Sequence, residues 1–538
     1  MKNINSVITT AAASLLLLTA CTKQIDEAYL NPNAQTVQPI EELFPNLIQN
    51  MSVSFSAAGS GYGTQNDGMY VGAYVQFWGR NTANYQYDLM GGATGASDVL
   101  GSVWAMHYFG QGQNLNRVVE WGTEQKKWDY VGAAKAIRAW SLLQLTISYS
   151  DAILNEAFNT NQLVFNYNTQ PEFYTAVRKT AHEALLFLNR TGDGVNQQNF
   201  AKGDAFFYDG DVNKWKKFTY GVLARSFNHL TNKAEYKPDS VIYYADLAMT
   251  NNADNGYVKY ADLGNSQTRS YYGPGRGNIG SLRQSNFIAN LMTGANPSLP
   301  VPDPRAGYIL STNPNGNFTG VVVGSGSTGL AVPDRPNNFW GGSFASTTGT
   351  NSNAKYIFKD GMPWPIMTAA EMKFIKAEAL YRKGQKAQAV VAYKEGIQLS
   401  MDMLTSKYSE SVPAAYTMTQ AIKDAYVANP LVVPTNANDL NLSMIMLQKY
   451  IAMYGFGLHE TWVDLRRYHY TDVEVGTTRQ VYTDFTPPAT LFNDNKGNFV
   501  YRKRPRYNSE YLYNVDALDA IGARELDYHT KEMWFSQP

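Results

Sequence analysis

The chain has few of the residues that form covalent or metal cross-links. Its 538 residues include one cysteine, Cys21, and six histidines. A single thiol cannot close an intramolecular disulfide, and thiolate zinc sites need several cysteines. We therefore expect no disulfide, no metal site and no cofactor, and a fold stabilised by the burial of apolar surface.

An excess of charge of either sign is also absent. Lysine plus arginine and aspartate plus glutamate both number 45, so the formal net charge at pH 7 is zero. This balance does not supply the long-range positive field on which nucleic-acid binding depends. Nucleic acid is therefore not an expected partner.

Long apolar runs are confined to the start of the chain. A polar beginning with Lys2 is followed by the apolar stretch 7–18 and by the small residues Thr19 and Ala20. This order is typical of a signal peptide and is too short for a membrane span. Leu18 to Cys21 resembles the bacterial lipobox, in which a peptidase cuts before a cysteine that then carries acyl chains. The alternative is an ordinary secretory leader with an incidental cysteine.

The sequence divides into a leader, a linker and one long body. Residues 1–20 form the predicted signal peptide, and Cys21 is the predicted lipidation site. Residues 21–45 are polar and contain Pro32 and Pro39, so they are predicted to form a lipidated tether. The remaining residues, 46–538, are predicted to form a single fold.

Aromatic residues are abundant, with 37 Tyr, 24 Phe and 10 Trp. Tyrosine and tryptophan combine a flat apolar face with a polar edge, which suits sugar rings and peptides as well as helix packing. Most of these residues are expected to pack helices together. Trp140, Trp215 and Trp462 lie in helical patterns and are predicted to be core residues.

The clearest helical pattern runs from Met367 to Leu404. Small and aromatic residues recur there at helical spacing on both sides of Gly384, namely Ala370, Phe374, Ala377 and Tyr381 before it and Ala389, Tyr393, Gly396 and Ser400 after it. Small residues alternating with aromatic residues let two antiparallel helices approach closely. This pattern predicts a helix hairpin of the tetratricopeptide kind.

Further helices are predicted on both sides of this hairpin. Their predicted ranges are 129–149, 171–189, 212–231, 238–249 and 441–454. The fold class is therefore mainly α, with a helix-hairpin framework over about 128–250 and 367–470 and few short strands. Two loop-rich regions, about 55–127 and 250–366, and an irregular C-terminal segment, 471–538, complete the fold. Long irregular segments on a rigid scaffold commonly carry binding residues.

Several blocks of sequence resemble one known family. They are "AAEMKFIKAEALYRKG" (369–384), "AYKEGIQLSM" (392–401), "LQKYIAMYGFGLHETWVDLRRYHY" (447–470), "PDPR" (302–305) and "RPRYNSEYLYN" (504–514). With the lipobox, they make the chain similar to the SusD/RagB family of outer-membrane nutrient-binding lipoproteins, specifically its second, SusD-like branch. The Glu460, Trp462, Arg466 and Arg467 signature is interpreted as structural, because two arginines beside an acid and a tryptophan suit a packed ion-pair network.

The resemblance implies a lipid-anchored protein of the outer membrane, exposed at the cell surface. It implies a SusC-like TonB-dependent transporter as partner, an oligosaccharide or peptide as ligand, and no catalytic role. The alternatives are an oligopeptide-binding member of the same family, a surface glycoside hydrolase, and a helical-repeat assembly lipoprotein. Fold alone does not decide the substrate.

Candidate ligand residues are aromatic and polar residues outside helical periodicity. They are Trp78, Arg80, Asn84, Tyr85 and Tyr87 in "YVQFWGRNTANYQYD", Tyr271, Tyr272 and Arg276 in "RSYYGPGR", and Phe339 and Trp340 in "NNFWGG". Aromatic faces would stack on sugar rings while arginine and asparagine bond hydroxyl groups.

Two glycine motifs match the dinucleotide-binding fingerprint as text, "GRGNIG" (275–280) and "GSGSTG" (324–329). The first does not follow a strand, and Pro333 and Pro336 prevent a helix after the second. Both are therefore predicted to be loops. His459 and Glu460 begin like a zinc-protease motif, but the second histidine of that motif is missing. Calcium on loop acids near Asp303 has no support from the sequence.

Overall fold

The structure is a computed structural model of the 538-residue chain, and it describes residues 38–52, 67–89, 100–261, 263, 270, 272–273 and 279–538. The predicted signal peptide, Cys21 and most of the predicted tether lie outside these residues.

Within the described residues the fold is mainly helical, as predicted. The helices are α1 (Ile40–Gln49), α2 (Gly68–Tyr74), α3 (Ser102–Ala105), α4 (Gly112–Glu124), α5 (Trp128–Tyr149), α6 (Gln170–Leu188), α7 (Gln197–Gly203), α8 (Val212–Asn228), α9 (Pro238–Leu247), α10 (Asn286–Thr293), α11 (Ala306–Ile309), α12 (Ala369–Arg382), α13 (Lys386–Lys407), α14 (Gln420–Ala428), α15 (Leu442–Ala452), α16 (Leu458–Arg467) and α17 (Val515–Ala520). The strands are β1 (Trp78–Arg80), β2 (Gly256–Val258), β3 (Leu282–Gln284) and β4 (Trp364–Met367).

Helices α5 and α6 form an antiparallel pair. Near one end of the pair, Gly132 of α5 lies so close to α6 that an added Cβ would be 2.6 Å from Leu188 Cγ. At the other end, the Gln170 side-chain amide donates to the Thr146 carbonyl at 2.9 Å. Helix α8 packs against both, and α9 packs against α8 and α12. The predicted helices at 129–149, 171–189, 212–231 and 238–249 are therefore confirmed, with ends that differ by at most three residues.

Helices α12 and α13 form the predicted hairpin. Gly384 has a φ of +74° in the turn between them, a conformation that L side chains rarely adopt. An added Cβ at Gly396 would lie 2.8 Å from the Phe374 ring, so the small residue lets α13 approach α12. Thr368 caps the start of α12 by accepting a hydrogen bond from the Glu371 amide at 3.3 Å. The spacing of small and aromatic residues thus has a packing cause.

Helix α16 carries the Glu-x-Trp-x-x-x-Arg-Arg signature, and all ten of its residues are buried. Arg467 binds Glu378 of α12 at 2.8 and 3.0 Å and Asp464 at 2.6 Å. Burial raises the pKa of Glu378. The Arg467 charge and the other cations around it lower this pKa by more, so the net shift is downward. Arg466 lies over the Trp462 ring at 3.8 Å and donates to main-chain carbonyls.

Glu460 extends this network to the first helices of the framework. Its carboxylate lies 2.8 Å from His229 Nε2 and 3.5 Å from Arg225 of α8. Arg225 in turn forms a bidentate pair with Glu371 of α12, at 2.6 and 2.7 Å. The signature helix therefore joins α8 and α12 through buried charges, which agrees with its interpretation as structural.

The predicted tether is too long at its C-terminal end. Helix α1 begins at Ile40, directly after Pro39, where the sequence analysis expected a tether to residue 45. Phe44 is fully buried and makes edge contacts with Tyr130 and Trp215 at 5.4 and 6.0 Å. A ten-residue helix with apolar residues on one face buries enough surface to dock here.

Region 55–127 is less irregular than predicted. Its described part includes α2, α3 and the 13-residue helix α4. Beyond Gly112 at its first position, α4 buries Leu115, Val118 and Gly122. Their spacing of three and four residues is that of one helix face. The many polar residues between them obscured this pattern in the sequence.

Four strands form two small antiparallel sheets in the described part of the chain. Strand β1 pairs with β3, and β2 pairs with β4 with an irregularity after Gly256. Both sheets connect loop-rich parts of the chain, and the β1–β3 sheet brings region 55–127 into contact with region 250–366. Among the described helices, none has the length and apolarity that a membrane crossing requires.

Candidate ligand-binding site

The candidate site is built on the segment from α2 to residue 89. Asp67, just before α2, is fully buried, forms an ion pair with Lys503 and has a carboxylate oxygen 3.1 Å from His459 Nε2. Burial, and then the Lys503 charge, lower the pKa of His459 to about 4, so its ring is neutral and accepts a hydrogen bond from Lys503 at 2.8 Å. This buried cluster fixes the start of the segment to the C-terminal part of the chain.

Strand β1 follows α2 and fixes the position of Arg80. Trp78 pairs with Gln284, Gly79 with Arg283, and Arg80 with Leu282 in the β1–β3 ladder. Trp78 points into the core, where its indole N–H donates to the Gly68 carbonyl at 2.9 Å. Arg80 lies at the end of the strand and is half-buried.

The loop after β1, residues 81–89, is held by the glycine-rich turn 321–329. The Asn84 amide donates to the Gly324 carbonyl at 2.8 Å, and Ala83 forms a bridge with Ser325. Gly326 has a φ of +56°, and an added Cβ would lie 2.6 Å from the Ala83 nitrogen. The "GSGSTG" motif is thus a turn that supports the loop, as expected. The other motif, "GRGNIG", lies mostly outside the described residues.

Arg80, Tyr85 and Tyr87 contact one another at this loop, where Arg80 and Tyr85 are half-buried and Tyr87 is buried. The Arg80 guanidinium lies 4.0 Å from the Tyr85 ring centroid and 5.5 Å from that of Tyr87. Tyr87 contacts Tyr85 and Tyr70 with centroid distances of 4.7 and 3.7 Å. Asn84 is exposed, with a φ of +54°. We call Arg80, Asn84, Tyr85 and Tyr87 the Arg80 surface.

A buried carboxylate lies behind the Arg80 surface. Asp88 accepts a hydrogen bond from the Arg80 main-chain amide at 2.7 Å and one from Gly324 at 3.4 Å. Its second oxygen has no hydrogen-bond partner among the residues that the structure describes. Burial, only partly offset by these two amides and by the Arg80 charge, raises the pKa of Asp88 to about 6.

Besides Tyr87, which is buried beside Tyr70, four of the predicted ligand residues lie in the core and not at a surface. Trp78, Tyr272, Phe339 and Trp340 have between 0 and 3% of their area exposed. They surround Phe358: Phe339 stacks on it at 3.9 Å, Tyr272 at 5.8 Å, and the Trp340 indole donates to its carbonyl at 2.8 Å. We call these five residues the aromatic cluster. Because their rings are covered by other side chains, they present no face on which a sugar could stack.

The aromatic cluster corrects one premise of the sequence analysis. An aromatic residue outside helical periodicity need not lie at the surface, because in this fold a loop-rich region builds part of its own core. Trp140, Trp215 and Trp462 are buried in the helical framework, as predicted. Tyr271 and Arg276 lie outside the described residues, so they remain predictions.

The sequence analysis did not identify Tyr70, Asp88 or Arg283 as parts of the site. Tyr70 lies in α2 and forms a small apolar cluster with Tyr87, Ala73 and Leu100. Arg283 reaches the site only because β3 pairs with β1, which the sequence did not predict. Asp88 is the last residue of the aromatic stretch 74–88, and this position was the only feature of the sequence that associated it with the site.

No group of three His, Cys, Asp or Glu side chains able to hold a metal ion occurs within the residues that the structure describes. Asp303, near which calcium was considered, pairs with Arg305 and accepts a hydrogen bond from Tyr426 at 2.8 Å. Both of its oxygens therefore have protein partners.

A family model described as "Starch-binding associating with outer membrane", SusD-like, matches residues 32–488 of the chain. No curated protein matches. Solved structures with the same fold include a SusD/RagB family protein from Bacteroides thetaiotaomicron, with 19% identity and a TM-score of 0.64 over 93% of this chain and 99% of that one. A SusD homolog from Bacteroides uniformis has 18% identity and a TM-score of 0.65 over 93% and 99%. A chitin-binding SusD homolog from Flavobacterium johnsoniae has 16% identity and a TM-score of 0.65 over 92% and 98%.

Proposed function

The chain belongs to the SusD-like family of nutrient- and carbohydrate-binding outer-membrane proteins, and from this premise we propose that it captures a glycan at the cell surface. In this proposal Cys21 carries the lipid anchor. The protein delivers its ligand to a SusC-like TonB-dependent transporter and performs no catalytic step.

The observation that supports a glycan site most directly is the Arg80 surface. It combines an arginine, an exposed asparagine and two tyrosines within one short loop. Sugar rings present apolar C–H faces and ring hydroxyls, so they are recognised by aromatic rings together with amide and guanidinium donors. Arg80, Asn84 and Tyr85 are the residues that we assign to ligand contact.

The rigidity of the loop supports the same assignment. Asn84 and Ala83 are bonded to the 321–329 turn, and Asp88 is bonded to the Arg80 amide. A loop that is ordered before binding loses less conformational entropy when a ligand arrives. The Arg80 surface therefore has the preorganisation expected of a binding site.

Calorimetry of the purified full-length protein against a panel of oligosaccharides and oligopeptides tests this proposal. We expect Tyr85→Ala to weaken the binding of an oligosaccharide about 10-fold, which corresponds to about 1.4 kcal/mol. The matched control is Tyr243→Ala, because Tyr243 is 59% exposed on α9, which packs on framework helices. Unchanged affinity in Tyr85→Ala would refute this site, and binding of peptides alone would refute a glycan ligand.

Two further measurements address the anchor and the reaction. Mass spectrometry of the mature protein should find an acylated Cys21 at the N-terminus, and Cys21→Ala should release the protein from the outer membrane. Incubation with each bound glycan should leave its chain length unchanged. Shortening of a glycan by the purified protein would favour a surface glycoside hydrolase.

A further inference from the structure

We propose that the Arg80 surface selects oligosaccharides that carry a carboxylate, and that the Arg80 guanidinium binds this group. The inference rests on the proposed function and names the class of ligand for the same site. It follows from the hydrogen bonds and ion pairs that Arg80 and its neighbours do not make.

The Arg80 guanidinium lies against a tyrosine ring, and its N–H donors form no hydrogen bonds with described residues. An arginine side chain has five N–H donors, and none of those of Arg80 bonds to any residue that the structure describes. Its Nε is buried, and it is unfavourable to bury a donor that no described residue accepts from. The guanidinium lies over the Tyr85 ring at 4.0 Å, and this cation–π contact helps to hold it in place. A bound acceptor would satisfy donors that the free protein leaves unsatisfied.

Two other arginines near this surface also lack carboxylate partners among the described residues. Arg283 pairs with Gly79 in the β1–β3 ladder, directly beside Arg80, and donates to the carbonyls of Gly280, Ser346 and neighbouring residues. Burial first, and then the Arg80 charge, lower the pKa of Arg283 to about 9. Arg335 lies 5.6 Å from the Phe344 ring, which also contacts Arg283 at 5.5 Å. Arg80 therefore has a second guanidinium, that of Arg283, close enough for the two charges to interact.

Three buried arginines are paired differently from the half-buried Arg80, whereas the buried Arg466 donates to main-chain carbonyls. Arg225, Arg305 and Arg467 each bind a buried carboxylate at 2.8 Å or less. The carboxylate closest in sequence to the Arg80 surface is Asp88, which forms no ion pair with Arg80 and has one oxygen with no partner in the described part of the chain. Within the described chain Arg80 therefore interacts with the Asp88 charge only at a distance, and its guanidinium forms no ion pair or hydrogen bond with a carboxylate.

A carboxylate matches this site in shape as well as in charge. Guanidinium and carboxylate groups form two parallel hydrogen bonds in one plane, and such charge-assisted pairs are stronger than bonds to neutral hydroxyls. The neighbouring Tyr85 edge and exposed Asn84 suit a sugar ring that bears the acid. A uronic acid residue within an oligosaccharide supplies both features.

Glycan pairs that differ only in the acid provide the test. The probes are oligogalacturonate and its methyl ester, and oligoglucuronate and its methyl ester, with maltoheptaose and chitohexaose as neutral oligosaccharides. For at least one pair we expect the acid to bind the full-length protein about 10-fold more tightly than the ester at low salt, with a difference that falls as salt is added. Arg80→Gln should reduce this ratio to about 1, whereas Arg80→Lys should keep part of it.

Arg117→Gln is the matched control, because Arg117 is exposed on α4 and its loss changes the net charge by the same amount. Thermal unfolding of each variant verifies that it is folded. Equal binding of acid and ester in every pair, no binding of any acid, or an acid preference that survives in Arg80→Gln would overturn the inference. Tyr85-dependent binding of a neutral oligosaccharide would still leave the proposed function intact. Binding of oligoglutamate without any glycan would overturn both.

Discussion

Two buried carboxylates of this protein lie in opposite electrostatic environments. Glu378 of α12 is surrounded by cations, and Asp88 is held mainly by main-chain amides. Burial raises the pKa of both, but only at Glu378 do arginine charges reverse the shift. The first residue ties helices together, whereas the second lies behind a surface that we assign to ligand binding.

Replacement of Asp88 by asparagine should reveal its raised pKa in the pH dependence of stability. The carboxyl titrates at about 6 in the folded protein and near 3.8 when unfolded, so its protonation stabilises the fold below about pH 4 and this contribution is lost as the pH rises through 6. We expect wild type to gain up to about 3 kcal/mol relative to Asp88→Asn between pH 7.5 and pH 4. Urea unfolding at several pH values measures this, and a constant difference would contradict it.

The grouping of site residues could be predicted where the residues are close in sequence. It could not be predicted where it depends on contacts between distant segments. Arg80, Asn84, Tyr85 and Tyr87 lie within eight residues, so their grouping could be proposed from the sequence. Whether Trp78 or Trp340 is exposed depends on contacts with segments hundreds of residues away, such as that of Trp78 with Tyr454 at 6.3 Å. Composition identifies an aromatic residue, but only packing decides which of its faces remain free.

At the scale of helices, sequence periodicity predicted the elements in which small and aromatic residues alternate regularly. The α12–α13 hairpin alternates small and aromatic residues, and Gly396 and Phe374 meet as that pattern requires. Helix α1 was missed because the polar linker and Pro39 precede it directly, and Pro45 lies inside it. A proline lowers the expectation of a helix, yet burial of Phe44 compensates for the lost hydrogen bond.

The signature helix α16 is stabilised by buried ion pairs that link separate helices. Glu378→Gln would leave Arg467 buried with only part of its charge compensated, and breaking such a pair costs about 3–5 kcal/mol. The matched control is Asp519→Asn, because Asp519 and Arg524 form an exposed pair with 55% and 56% of their side chains accessible. That control should change the free energy of unfolding by less than about 0.5 kcal/mol. Denaturant unfolding compares the two, and equal effects would contradict a structural role for the network.

At the scale of the whole molecule, one hydrophobic core runs from Ile40 to Phe535 in the described chain. The segment after residue 470 was expected to be irregular, and α17 is a short element within it. Its last residues nevertheless dock onto the framework: the Phe535 amide donates to Gln170 at 3.1 Å, and Asn232 donates to the Ser536 carbonyl at 2.7 Å. Contacts of this sequence separation carry no local signature, so the sequence could not predict them.

The C-terminal docking predicts that the last residues contribute to the stability of the entire fold. Phe535 is fully buried beside Arg466 and His229, at 5.1 and 6.3 Å, so Phe535→Ala would leave a cavity between α6, α8 and α16. We expect it to lower the free energy of unfolding by about 3–5 kcal/mol. Leu526→Ala is the control, because Leu526 is 62% exposed in the same segment and should cost less than about 0.5 kcal/mol. Loss of a buried ring should destabilise every helix that packs around it. If Phe535→Ala unfolds at the same urea concentration as Leu526→Ala, the C-terminal segment is therefore not part of the cooperative core.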